Sequence, residues 1–278
     1  MSDVCRRRAP PGLIGAFFTR HGYRRDMAEG DDIPATHPRH DSLVTRHRIE
    51  AGVEAGITSK QGLIAEGRGE AFDYLLGERT LPSADAAARA AAAHLLLARH
   101  PVISVNGNAA ALVPDELVAL AASVGADLEV NLFSRTDERM AAIADHLRDH
   151  GASEVKGLDA DARIPDLDHE RAKVDADGIA DADVVLVPLE DGDRAAALAA
   201  LGKVELVVDL NPLSRSAQVA DVPIVDNILR AIPNVTAHAR ELAGADRAEL
   251  ERIVREFDAA AALDDAERAI RSGDLIDR

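Results

Sequence analysis

The densest concentration of potential chemistry lies near the N-terminus, where arginines, carboxylates and glycines alternate. His37-Pro38-Arg39 precedes Arg46, and Gly62-Leu63-Ile64-Ala65-Glu66-Gly67-Arg68-Gly69-Glu70-Ala71-Phe72-Asp73-Tyr74 follows. Arg39 stands just before an expected helix, and helix amides together with a guanidinium favour an anion. Arg68 sits between two glycines, which present it without steric cover. Glu70 and Asp73 share a helix face and suit a substrate ammonium, although either alone reads equally as a dipole-compensating surface residue. His37, His40 and His47 have no cysteine or tight carboxylate partner, so solvated or capping roles fit them better than metal ligation. No metal site is expected.

Further polar clusters follow expected strands, and open parallel sheets bind ligands at the carboxyl ends of their strands. Asn106-Gly107-Asn108 reads as a tight turn or as a contact for phosphate, carboxylate or ribose. Asp209-Leu210-Asn211-Pro212-Leu213-Ser214-Arg215-Ser216 is the best phosphate candidate. Arg215 offers a charged fork, the serines add donors, and Asp209 suits a ribose hydroxyl or a magnesium-bound water. The alternative has Asp209 capping the turn and Arg215 solvated. Asp226-Asn227 could add polar contacts at the same edge, or cap a helix. Pro188-Leu189-Glu190-Asp191-Gly192-Asp193-Arg194 reads most simply as acidic capping of the next helix.

The elements that must position these residues are legible from periodicity. Residues 41–55 read as a helix with Ser42, Arg46, Ile49 and Val53 on one face. The glycines of residues 58–69 predict a structured loop, followed by a short helix over 70–76 that Gly77 stops. Ser83 is the expected cap of an alanine-rich helix reaching Arg99. Beyond Pro101, strands at 102–105, 128–132, 183–187, 204–208 and 222–225 alternate with helices at 114–124, 136–150 and 193–201. This alternation predicts a Rossmann-like α/β fold, a parallel sheet with helices on both faces. Residues 159–181 read as an acidic surface excursion without chemistry, and residues 236–270 as C-terminal helices.

The 278 residues accommodate a disordered extension over 1–32 and one α/β domain over 33–278. That domain divides into a helical segment (40–99), a Rossmann-like core (100–235) and C-terminal helices (236–278). A net charge of -17 argues against a nucleic-acid footprint. The excess of Asp and Glu, with lysine only at Lys60, Lys156, Lys173 and Lys203, suggests a halophilic, high-salt cytoplasm. The lone Cys5 excludes an intramolecular disulfide and fits a reducing compartment. The Arg6-Arg7-Arg8 run lacks a proper apolar core and cleavage site, so export is rejected, and either Met1 or Met27 is the start. No apolar segment approaches membrane-spanning length.

Taken in order, IPATHPRHDSL, GLIAEGRGEAFDYLLGE, SVNGNAAALVP, PLEDGDR, DLNPLSRSA and VDNI closely resemble the archaeal-type 4-phosphopantoate--beta-alanine ligase (phosphopantothenate synthetase) family. The resemblance runs from about Ile33 to near the C-terminus. It implies a cytoplasmic homodimer that uses ATP and Mg2+ to condense 4-phosphopantoate with β-alanine on the route to coenzyme A, releasing AMP and diphosphate. It further implies nucleotide binding by Arg39, Gln61, Asp209, Leu210, Asn211, Arg215, Ser216, Asn227 and Ile228. Arg46, Arg68 and Glu70 form the expected catalytic set, with Arg46 or Arg68 on the substrate phosphate and the β-alanine ammonium near Glu70 or Asp73. The family often has His where this chain has Glu66, so position 66 receives no catalytic role. The alternatives are an NAD(P)-dependent oxidoreductase, weakened by the missing glycine fingerprint, and a non-catalytic nucleotide-binding regulator.

Overall fold

Short runs of apolar residues buried on both sides build a parallel sheet. Its strands are β1 (Pro101–Val105), β2 (Asp127–Val130), β5 (Val184–Pro188), β6 (Val204–Val208) and β7 (Val222–Ile224). The spatial order is β2-β1-β5-β6-β7, and every pairing is parallel. The structure, a computed structural model, describes residues 33–34, 36–37, 39–189 and 192–272. The expected N-terminal extension with Cys5 and Met27, and the motif residues Pro38, Glu190 and Asp191, lie outside the described residues.

Side chains alternate across the sheet. Ile103, Val105, Leu186, Leu206 and Val208 enter the main core, whereas Val102, Val185 and Val187 enter a second core on the opposite face. Over the main face lie α3 (Pro82–Leu97), α5 (Pro114–Val124) and α9 (Ile228–Leu242). Helix α3 packs on α9, on α10 (Arg247–Glu256), on α11 (Ala259–Ser272) and on β7. Its fully buried Ala87, Ala88 and Ala90 to Ala93 let these neighbours approach closely. Helix α6 (Asp137–Asp149) is capped by Thr136, and α7 (Gly192–Ala200) sends Leu198 into the second core.

Several expectations need correction. The glycine-rich stretch is not a loop. Residues Lys60–Leu76 form one continuous helix, α2, whose N-terminus is capped by Ser59 and whose C-terminus ends at left-handed Gly77. It packs on α1 (His40–Glu54). Gly62 is tolerated in α2 because a Cβ there would sit 2.3 Å from Oδ1 of Asn108. Asn106-Gly107-Asn108 is not an isolated turn either. Asn106 caps a short helix, α4 (Gly107–Leu112), by accepting the N–H of Ala109. Helix α3 starts at Pro82, with Leu81 rather than Ser83 in the cap position. Arg215–Val219 forms a further short helix, α8, capped by Ser214. The C-terminal helices begin at Ile228 rather than at 236, because Asn227 supplies the cap and Pro233 is accommodated inside α9.

The segment 159–181 is more than a surface excursion. It forms an antiparallel pair, β3 (Ala162–Arg163) with β4 (Lys173–Val174), and buries Ile164, Leu167, Ala172, Val174 and Ile179 against the sheet. Two buried side chains following or ending β2 hold it there. Glu129 accepts the N–H groups of Asp175 (3.1 Å) and Ile179 (2.6 Å), and the Asn131 amide donates to the carbonyls of Arg171 and Lys173. No helix among the described residues is long and apolar enough to cross a membrane.

Gly107 tests the fit between α4 and the α1–α2 connection. A Cβ there would lie 2.4 Å from the backbone oxygen of Ile57, which cannot swing away as a flexible side chain would. Gly107→Ala should lower stability by about 1–3 kcal/mol, read from the shift of the urea unfolding midpoint.

Candidate active site

Helix α2 stands between two cavities and gives each a different face. Glu66, Glu70 and Asp73, spaced i, i+4 and i+7, line a cavity of about 510 Å³ shared with α1 and the start of α9. Gln61, Gly62, Ala65 and Arg68 line a second cavity of about 300 Å³. The second lies where strand order reverses between β1 and β5, the position at which open α/β sheets bind ligands. There Asn106 donates from Nδ2 to the Pro188 carbonyl (2.7 Å), tying the two strand ends together. Leu189, which lines this crevice, holds a positive φ of 58°.

The larger cavity is strongly charged. Two of its three α2 carboxylates are already engaged. Arg46 Nη2 lies 2.9 Å from both Glu70 oxygens, Tyr74 donates to Oε1 at 2.9 Å, and the Ser42 hydroxyl also donates to Glu70. Burial acts to raise the Glu70 pKa, but these hydrogen bonds, led by Ser42 and Arg46, bring it below the ordinary value. Asp73 accepts from Arg230 Nη2 at 2.5 Å and from the Asn227 amide at 2.8 Å. Arg230 reaches Asp226 as well, at 2.7 Å, and Thr80 completes the shell of Asp226 at 2.6 Å.

Glu66 is the exception. It has no hydrogen bond or ion pair among the described residues, although it lines the same cavity as Arg39, Arg46, Arg48 and Arg230. Burial first, and then the charges of Glu70 and Asp73, push its pKa up from 4.5 to about 7. Its carboxyl therefore exchanges its proton near neutrality.

The predicted residues are distributed around α2 rather than gathered in one pocket. Arg39, Arg46, Glu70 and Asn227 line the larger cavity, whereas Gln61 and Arg68 line the smaller. The Asp209–Ser216 loop lines neither. It lies beside α2, where Gly69 approaches Leu210 and the charge of Arg68 is felt by Asp209. Asp209 organises its own turn by accepting from Asn211 N (2.9 Å) and Ser214 Oγ (2.5 Å), and burial raises its pKa despite these bonds. Arg215 is exposed, while Ser216 is buried. Leu210 and Ile228 send their side chains into hydrophobic clusters, so only their backbones are available to a ligand. Sequence reading passed over Arg139, Arg171 and Arg230. Of these only Arg230 carried a local signal, its i, i+4 spacing from Asp226.

Comparison with known proteins decides between the readings of this geometry. Residues 83–273 match the model of the phosphopantothenate/pantothenate synthetase family. The 4-phosphopantoate--beta-alanine ligases of Thermococcus onnurineus and Thermococcus kodakarensis are each 56% identical to this chain, covering 86% of it and 92% of their own lengths. That of Methanosarcina mazei is 52% identical over 84% of the chain and 92% of its own length. The chain belongs to the phosphopantothenate synthetase family. As a phosphopantothenate synthetase relative it carries the Asp209–Ser216 loop and Asn227 inside the matched span, while α1 and α2 precede that span.

The family's sheet-edge residues reach α2 through Arg230, whose two carboxylate partners are nearly inaccessible, Asp226 at 1% and Asp73 at 9% side-chain exposure. Arg230→Leu leaves two buried charges facing each other. It should cost about 3–5 kcal/mol in chemical denaturation.

Proposed function

We propose that this phosphopantothenate synthetase relative joins 4-phosphopantoate to β-alanine, using ATP and forming 4'-phosphopantothenate, AMP and diphosphate in coenzyme A biosynthesis. The observation that carries the reading is identity above one half, across 86% of the chain, with proteins named for that ligation. A carboxylate is a poor electrophile and must be activated. The 4-phosphopantoate carboxylate attacks the α-phosphorus of ATP, the bond to diphosphate breaks, and a phosphopantoyl adenylate forms. The β-alanine amine then attacks the acyl carbon and AMP leaves. Positioning and charge neutralisation supply most of the rate. Mg2+ enters with ATP, held chiefly by its phosphates.

In this reading the larger cavity takes β-alanine, and the nucleotide lies between Arg39 and Asn227 of that cavity and the Asp209–Ser216 loop beside α2. Arg39 and Arg215 neutralise ATP phosphates, with the Asp209–Asn211 turn, Ser216, Asn227 and the backbone of Ile228 at the sheet edge. Arg46 keeps Glu70 occupied and Arg230 keeps Asp73 occupied. The ammonium of β-alanine is therefore assigned to Glu66, the α2 carboxylate in this cavity left without a partner among the described residues. Ionised above about pH 7, Glu66 attracts the ammonium and accepts the proton that must leave before the nitrogen becomes nucleophilic. A homodimer in the cytoplasm completes the proposal. The exposed side chains of Leu63, Ile64, Tyr74 and Leu75 on α2 support a subunit contact.

Incubating the chain with Mg·ATP, 4-phosphopantoate and β-alanine tests the reaction. AMP release that requires both other substrates is expected. ADP release would point instead to an acyl phosphate, and absence of turnover to a nucleotide-binding regulator.

Glu66→Gln should lower kcat by roughly 100-fold or more and remove the limb of the pH profile near 7, with His at this position restoring part of the rate. Unchanged kcat in Glu66→Gln would dismiss the assignment. The sign of the stability effect follows from a folded pKa raised above the unfolded one. The unfolded carboxyl loses its proton first, so Glu66 increasingly opposes folding as pH rises from about 4.5 through about 7. Glu66→Gln should accordingly raise the melting temperature at pH 8 and leave it nearly unchanged at pH 4.

A further inference from the structure

The segment 159–181 is wrapped round a carboxylate that the proposed reaction does not use. Glu129 of β2 is fully buried, and its two oxygens receive the backbone N–H groups of Asp175 and Ile179. The turn between those residues closes so tightly that Gly178 has no room for a side chain, since a Cβ there would collide with Glu129 Oε2. The same turn brings Asp175 against the Glu129 carboxyl, because that Cβ position lies 3.1 Å from Cδ of Glu129 and 3.2 Å from Cβ of Asp175. Asp175 Oδ2 accepts the N–H of Gly157 at 2.8 Å, whereas its Oδ1 is buried without a hydrogen-bond partner among the described residues. A buried acceptor that lacks a donor is costly. We propose that Glu129 and Asp175 hold one proton between them, donated from the Glu129 carboxyl to Oδ1 of Asp175, and that this proton fastens the segment 159–181 to the sheet.

The charged groups around Glu129 come from every element packed on it. Asp175 faces it from the segment and Arg194 from α7, and the strand register puts Glu205 of β6 on the same sheet face. Lys156 bridges to Glu129 through its backbone but turns its ammonium to Asp127 and Asp177, at 3.6 Å and 2.7 Å. Burial, the largest influence, favours the neutral acid, and the charge of Asp175 adds to it; the two amides and Arg194 favour the anion. Burial prevails and lifts the pKa from 4.5 to about 7. The neutral acid supplies the donor that Asp175 Oδ1 lacks and keeps its carbonyl oxygen for an amide. Once the segment undocks, Glu129 returns to its ordinary value. The proton therefore strengthens docking fully below about pH 4.5, and this contribution is lost as pH rises through about 7.

The segment carries this effect to the smaller cavity. Two residues on from Glu129, the Asn131 amide holds the carbonyls of Arg171 and Lys173, and the 3-10 turn Glu170–Ala172 contributes Arg171 to the cavity lining. Docking of that wall thus depends on pH. Other ties hold the ends of the segment. His100 meets Asp181 at 3.3 Å, the Lys203 ammonium donates to the carbonyls of Ala180 and Ala182, and His169 meets Asp193 at 3.1 Å. None of these involves the Glu129–Asp175 pair. They stay in place when the pair is altered, so the difference between an altered and an unaltered chain reports the pair itself.

Amide hydrogen exchange on the full chain without substrates tests the device independently of the ligase reading. Results are expressed as protection factors, which removes the intrinsic pH dependence of exchange. Protection of the Asp175 and Ile179 amides should fall on the order of 10- to 100-fold between pH 5 and pH 8. Glu129→Gln replaces the acid with a carboxamide that donates to Asp175, accepts an amide and does not titrate. In that variant the fall should disappear, with protection at pH 8 matching that of the unaltered chain at pH 5. Asp175→Asn turns the facing acceptor into a donor, so it should move the midpoint of the fall below pH 7. It carries the test if Glu129→Gln does not fold. Protection independent of pH in the unaltered chain would overturn the proposal. A fall of the same size in Glu129→Gln, or an unshifted midpoint in Asp175→Asn, would overturn it as well.

Discussion

The guanidinium of Arg230, held between Asp73 of α2 and Asp226 at the end of β7, is the interaction on which the arrangement of the site depends. It ties a helix that precedes the sheet in sequence to the sheet's carboxyl edge. Helix α2 is also held by Leu76 in a small hydrophobic cluster and by Gly62 against Asn108, while Leu63, Ile64, Tyr74 and Leu75 leave much of one side in solvent. Both cavities have α2 as a wall. A rotation of that helix by one residue's pitch would move the acidic face out of one and the Arg68 face out of the other.

The same constraint governs the electrostatics. Three carboxylates on one helical face repel one another, and the fold relieves this by assigning Arg46 to Glu70 and Arg230 to Asp73. Glu66 remains. Its raised pKa follows first from burial and then from the charges of Glu70 and Asp73, so the ionised neighbours add to its proton affinity. The opposite face works differently. Gly62 brings α2 against Asn108, and Arg68 acts on Asp209 through its charge alone, with no hydrogen bond or ion pair among the described residues.

Sheet strands were readable because each is a short apolar run buried on both faces, and the reading of β1, β5, β6 and β7 needed no tertiary knowledge. Helix α2 was misread for a physical reason. Gly62, Gly67 and Gly69 each carry a helix penalty of about 1 kcal/mol, and local propensity cannot reveal that Gly62 is required for contact with Asn108. The segment 159–181 looked inert because its apolar residues are sparse. Its docking depends on Glu129 and Asn131, which are distant in sequence. Arg39, Arg46, Arg68 and Glu70 were visible as chemistry, but their division between two cavities was not. Arg171 carried no local signal at all. Its place at the smaller cavity follows from the packing of β3 and β4 on the sheet.

A chain of net charge -17 that handles phosphorylated substrates faces long-range repulsion. The structure meets this locally, by pairing Glu70 with Arg46 and Asp73 with Arg230 in the larger cavity. Salt affects the two scales unequally. Near molar ionic strength the Debye length falls to roughly 3 Å, which suppresses repulsion from the distant surface but leaves contact hydrogen bonds from partly buried arginines largely intact. High salt should therefore weaken substrate capture in this protein less than in one that relies on a diffuse positive surface.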